Sequence, residues 1–279
     1  LPTGPYEFPR LSPDGAQVVV KLAPLQTSLW IYDLVDQTFN RLTFEGNDSW
    51  PLWTPDGKRV VYASNRAEPW DLFWTPVDGS GREERLLEKE SNQLPHSFSP
   101  DGKILAFLHS NPATGQDVWV LPLDGQKQAR PILQTSATEI DARFSPNGRF
   151  LAYASNESGR YEVYVQPFPN VEEVKRQIST DGGREPIWAR SGDELFYRRG
   201  EGMMAVEITT QPTFRTGTPR LLFEGPYRRT PNPTTAHYDV SVDGQRFLMV
   251  QEEAREEEAT QLNVVLNWFE ELKRLVPAN

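Results

Sequence analysis

A four-residue turn of the type Ser-Pro-Asp-Gly recurs along the chain at nearly even intervals, and this recurrence restricts the fold more than any other feature. It stands at Ser12–Gly15, Thr54–Gly57 and Ser99–Gly102, and with Asn in place of Asp at Ser145–Gly148. Two degenerate copies follow at Ala189–Gly192 and Ser241–Gly244. Pro sets φ at the first central position, the Asp carboxylate accepts from nearby backbone, and Gly tolerates positive φ. Gly15, Gly57, Gly102, Gly148, Gly192 and Gly244 lie 42, 45, 46, 44 and 52 residues apart.

Each copy sits between two strand-like runs. An apolar residue precedes it (Leu11, Trp53, Phe98, Phe144, Trp188, Val240), and an apolar stretch such as Lys58–Tyr62 or Arg149–Tyr153 follows. A third run comes after a polar loop: Leu29–Tyr32, Leu72–Trp74, Val118–Val120, Val163–Val165, Met204–Val206 and Val264–Leu266. Fourth runs are visible at Arg41–Thr43, Arg85–Leu87 and Arg220–Phe223. A period of about 40 to 50 residues built from strands is the signature of propeller blades. The expectation is an all-β, six-bladed β-propeller of four-stranded blades filling residues 1–279 as one domain. Its repeats fall near 6–46, 47–92, 93–138, 139–182, 183–234 and 235–279.

The sixth repeat departs from the scheme. Its third run leads into 268–276, where Leu272, Leu275 and Val276 have helical spacing, so a short C-terminal helix is expected. Two readings of ring closure remain open: either Leu1–Phe8 supplies an outer strand to the last blade, or that blade is incomplete. The charged run Glu252–Glu258 reads as a solvated loop, and Thr230–Thr234 as a surface connection.

Composition narrows the function. The net charge of -10 opposes nucleic acid as a partner, because phosphate binding needs clustered Lys and Arg. Cys is absent, which excludes disulfides, thiolate metal sites and a Cys nucleophile. No run approaches the roughly 18 apolar residues of a membrane span, so direct membrane insertion is not expected. There is no Gly-x-Ser-x-Gly elbow and no phosphate-binding Gly-rich loop.

The Pro, aromatic, Ser-Pro-Asp-Gly, apolar-strand pattern resembles the TolB-type β-propeller repeat over essentially the whole chain. The segments Ser155–Val165 and Gln177–Pro186, with the ending Leu262–Trp268, also resemble the C-terminal propeller of soil-bacterial transmembrane serine/threonine kinases. That resemblance implies an extracytoplasmic or periplasmic sensor domain. The chain carries no kinase motif of its own. Members of that group usually have more sequence ahead of the first repeat, so the chain reads as either a fragment or a standalone relative.

In a propeller the innermost strand of each blade faces the axis, so equivalent positions form a ring. Four places before the turn, the ring is Phe8, Trp50, Pro95, Asp141, Glu185 and His237; two places further on it is Arg10, Leu52, Ser97, Arg143, Ile187 and Asp239. Side chains two apart on a strand face the same way. Asp141, Glu185 and His237 therefore form a candidate divalent-metal set for Ca²⁺, Mn²⁺ or Zn²⁺. Trp50, Arg143 and Arg10 are candidate ligand contacts, and Asp239 or Asp48 a candidate base or nucleophile. The competing reading pairs Asp141 with Arg143 or Arg184, pairs Glu185 with an Arg, and bonds His237 to backbone. His96 and His109 read as structural.

Two functions follow. One is a sensor or binding module that takes a small-molecule or peptide ligand at the channel mouth. The other is a metal-dependent hydrolase of phosphotriesters or lactones, by architectural likeness to diisopropylfluorophosphatase, the paraoxonases and the gluconolactonases. Whether the chain is an enzyme stays open at this point.

Overall fold

A computed structural model describes residues 4–22, 27–66, 68–125, 127–170, 175–228 and 234–251. Among them the only regular elements are strands, arranged as blades around an axis. Blades 1 to 4 are antiparallel four-stranded sheets whose strands follow chain order from the axis outward. Their inner strands are Tyr6–Leu11, Asp48–Trp53, Gln93–Phe98 and Glu139–Phe144. Blade 5 begins with Arg184–Trp188, and its third strand, Gly202–Thr209, pairs with both Arg215–Thr216 and Arg220–Glu224. In the sixth position the described residues form a two-stranded sheet, Tyr238–Val240 with Phe247–Met249.

The six expected four-stranded blades thus become five full sheets and a two-stranded one. The expected strand Val264–Leu266, the C-terminal helix and the charged run 252–258 lie outside the described residues. The idea that Leu1–Phe8 edges the last blade is corrected: Tyr6–Phe8 belong to the inner strand of blade 1, paired with Lys21 and Leu22. Phe8 is buried at the axis, so Tyr6–Phe8 are committed to blade 1.

The turns explain the period. In the first, Gly15 N–H donates to Ser12 O at 2.9 Å and Gln17 N–H to Ser12 Oγ at 2.9 Å. The Ser12 hydroxyl donates to Asp14, which holds that carboxylate below its ordinary pKa. The same bonds recur at Thr54, Ser99, Ser145 and Ser241. Neighbouring turns also touch. A Cβ on Gly148, at φ +69, would sit 3.3 Å from Pro100, and one on Gly15 would sit 3.1 Å from Val242. The Pro of each of the first four turns packs under the Gly of the next, and Ala189 under Gly244 and Val242 under Gly15 carry the contact round to the first turn.

Among the described residues the buried apolar side chains form no single core. Buried apolar clusters lie between blades: Val19, Leu29 and Ile31 meet Trp53, Val60 and Tyr62, and Phe150, Val163 and Val165 meet Trp188, Leu195 and Val206. Similar clusters join blades 2 to 3, 3 to 4 and 5 to 6. Fully burying one such side chain contributes about 1.5–3 kcal/mol, so these interfaces supply most of the stabilisation. Blades 6 and 1 meet differently: among the described residues they share no apolar cluster, and a groove of 390 Å³ lies between them at the turn end.

Candidate functional site

The ring read from the turn spacing exists, and its backbone is unusual. Phe8, Trp50, Asp141 and Glu185 have φ between 50° and 59°, the left-handed region, and each inner strand has a bulge there. Left-handed φ is uncommon for residues other than Gly, Asn and Asp, so its repetition in four blades marks a constrained site. Pro95 cannot adopt positive φ, because its ring holds φ near -65°. In blade 3 a Ser hydroxyl braces the next blade instead: Ser97 Oγ donates to Ala142 O at 2.9 Å and accepts from Phe144 N–H at 3.1 Å.

Asp141, Glu185 and His237 are consecutive around the axis and linked through backbone. Glu185 N–H donates to Asp141 Oδ2 at 3.3 Å, and His237 N–H donates to Glu185 Oε2 at 3.0 Å. All three side chains are buried. Burial, with Glu185 nearby, pushes the Asp141 carboxyl up to about 7, and burial also raises Glu185. The His237 ring packs against Phe8 at a tilt of 39°, centroids 4.4 Å apart, and neither ring nitrogen has a partner. Asp141 Oδ1 and Trp50 Nε1 are likewise buried without partners. Among the described residues, no three His, Asp or Glu side chains form a group arranged to hold a metal ion.

The two arginines serve the chain itself. Arg143 donates to Thr235 Oγ1 at 2.9 Å and Arg10 to the same oxygen at 3.1 Å. Arg10 also donates to Ala236 O at 2.7 Å and Tyr238 O at 3.1 Å. Burial and mutual repulsion lower Arg10 to about 10. His96 reaches the same segment. Its Nδ1 accepts from Ala142 N–H at 3.2 Å, so Nε2 carries the proton it donates to Thr234 O at 2.8 Å. The residues entering blade 6 are therefore held by blades 1, 3 and 4 across the axis.

The remaining candidates stand apart. Asp239 Oδ2 accepts from Leu11 N–H at 2.8 Å and ties blade 6 to blade 1. Asp48 is buried at the start of its strand, 3.4 Å from Arg66. His109 packs against Trp119, centroids 4.5 Å apart.

The mouth of the channel carries side chains that the ring reading did not include. Trp70 meets Trp50 edge-on at 5.0 Å, Tyr161 packs on the same cluster, and the Arg184 guanidinium lies 3.9 Å over Tyr161. Trp70 and Tyr161 occupy one repeat position, just ahead of the buried carboxylates Asp71 and Glu162 that open the third strands. Aligning the repeats on those carboxylates, rather than on the turn, would have exposed the pair.

No family model matches the chain. The uncharacterized protein Atu1656 of Agrobacterium fabrum is 29% identical over 102 residues, covering 36% of this chain and 34% of that relative. The chain thus spans about a third of the curated relative it matches. By fold the molecule is a β-propeller. It is similar to putative TolB from Agrobacterium tumefaciens, which superposes with TM-score 0.66 at 16% identity, covering 79% of this chain and 81% of that one. TolB from Acinetobacter baumannii gives 0.68 at 19% identity, covering 89% and 58%. An oligogalacturonate lyase in complex with manganese gives 0.63 at 12% identity, covering 91% and 72%. No helix among the described residues is long and apolar enough to cross a membrane.

Proposed function

We propose that this propeller is a binding module, of the extracytoplasmic sensor type, that takes a small-molecule or peptide ligand at the mouth of its channel. One observation carries the reading. Asp141 Oδ1, both His237 ring nitrogens and Trp50 Nε1 sit buried without partners around one level of the axis. Each such atom costs about 1–3 kcal/mol when unsatisfied, and a ligand that bonds them recovers part of that cost. Half-buried Trp50, Trp70 and Tyr161 add aromatic faces beside them. The resemblance to kinase-linked propellers supports the sensor role and an extracytoplasmic location. The test is a thermal-shift screen of metabolites and short peptides, followed by calorimetry. Hits that lose affinity at least tenfold in Trp50→Leu or His237→Gln are expected; a screen with no hit dependent on these residues defeats the reading.

A second reading is hydrolysis assisted by a divalent metal at Asp141, Glu185 and His237. The unpartnered His237 nitrogens and a carboxyl held near neutrality favour it, and the propeller neighbour solved with manganese lends it support. A metal there would polarise a phosphoryl or carbonyl oxygen. Elemental analysis and a phosphotriester and lactone panel, with and without chelator, decide it: chelator-sensitive turnover lost in Glu185→Gln supports the hydrolase, and metal-free inert protein removes it.

A further inference from the structure

The channel mouth has two unlike halves. Across blades 2 to 4 it is aromatic, formed by Trp50, Trp70 and Tyr161. Across blades 5, 6 and 1 it is cationic. Lys21 Nζ lies 5.6 Å over the Phe8 ring and 2.8 Å from Glu7, and Arg228 pairs with the same Glu7, so two cations share one carboxylate. Arg184, stacked on Tyr161, joins the halves.

His237 sits at the cationic side, in contact with Phe8 and with both ring nitrogens unpartnered. Beyond burial, the charges acting most strongly on its ring are the cations Arg10, Arg228, Lys21 and Arg198, while the Glu185 carboxylate is engaged by the His237 backbone N–H. A neutral imidazole presents one N–H donor. A cationic ligand meets repulsion here. A neutral ring leaves the surplus charge unanswered, and an open-chain acid leaves the aromatic faces in water.

We infer that the mouth takes a cyclic organic carboxylate, its ring against Trp50 and Trp70 and its carboxylate toward His237, Lys21 and Arg228. This rests on the ligand-binding reading above and names the ligand class for the same site. Stacking on aromatic faces suits a ring, and a carboxylate accepts from the imidazole N–H while the flanking cations balance its charge.

Calorimetry on the full chain with matched pairs tests it: glucuronate against glucose, benzoate against benzamide, and inorganic phosphate alone. The acid of at least one pair is expected to bind about tenfold or more tighter than its neutral twin, as a carboxylate–cation contact supports. Preference for glucuronate assigns a sugar acid, and preference for benzoate an aromatic acid. Lys21→Gln and Arg228→Gln, both at the partly exposed mouth, should each weaken the acid about three- to tenfold and leave the neutral twin unchanged. Trp70→Leu should weaken both members. Equal binding of acid and neutral twin, phosphate binding as tightly as either acid, or indifference to both cation substitutions overturns the carboxylate while the binding module stands. Silence from every probe overturns it too, and the wider screen then shows whether the binding reading falls with it.

Discussion

The interface between blades 4 and 5 and the one between blades 6 and 1 solve the same geometric problem by different means. The first is apolar: Phe150, Val163 and Val165 interdigitate with Trp188, Leu195 and Val206, and Trp188 Nε1 donates to Arg143 O at 3.1 Å. The second rests on polar links. Arg10 bonds the carbonyls of Ala236 and Tyr238, Asp239 takes Leu11 N–H, and Val242 packs under Gly15. Arg190, standing where earlier turns have Pro, donates to Pro13 O and Ser12 O and so spans from blade 5 to blade 1 past the sixth turn. Apolar packing tolerates local adjustment. Hydrogen bonds to carbonyls fix register and direction, which is what the meeting of first and last blades requires.

The sharpest way to break this contrast is to damage each interface in turn. Leu195→Ala, at a site with no exposure, should cost about 2–5 kcal/mol in urea unfolding and lower the whole transition. Arg10→Met should cost about 2–3 kcal/mol, since it strands the buried acceptors on Thr235, Ala236 and Tyr238. Its mark should be local: hydrogen exchange rises in Tyr238–Val240 and Phe247–Met249 while blades 2 to 4 keep their protection. Uniform loss of protection in Arg10→Met would erase the distinction.

pH separates the buried carboxyls from the buried histidines. Asp141 and Glu139, raised by burial to about 7 and about 6, bind protons more tightly folded than unfolded. Their contribution is present at low pH and is lost as pH rises from about 4 toward 7. His96 and His237, lowered to about 3, do the reverse: unfolded His takes a proton below about 6.5 and the folded ring does not, so stability falls on acidification. The two trends offset in the intact protein. Asp141→Asn should expose the histidine trend as a steeper rise of stability from pH 4.5 to 7 in urea titrations; an unchanged slope would show that Asp141 is ionised throughout. The smallest effect is a gain. Val242→Pro restores the repeat's turn at a position whose neighbours already make its hydrogen bonds, and should add about 0.4–1 kcal/mol.

The turns, the blade period and the axial ring were legible because their causes are local: a Pro, an Asx acceptor and a Gly at fixed offsets, with side chains alternating from there. The left-handed conformations were not, because Phe8, Trp50 and Glu185 carry no residue-type signal for positive φ. The ring level was right all the same, since the bulge recurs at one offset from the turn. Thr235 was invisible as a partner for Arg10 and Arg143, for those contacts join residues brought together only by ring closure. The second outer strand of blade 5, Arg215–Thr216, is too short to leave a pattern.

The Arg10 contacts also constrain how the molecule comes into being. Arg10 and its acceptors on Ala236 and Tyr238 are 226 and 228 residues apart, and His96 waits 138 residues for Thr234. On the ribosome, blades 1 to 4 emerge with these donors unanswered. Their final order arrives only when Thr234–Tyr238 have cleared the exit, so blade 1 is secured long after it is made.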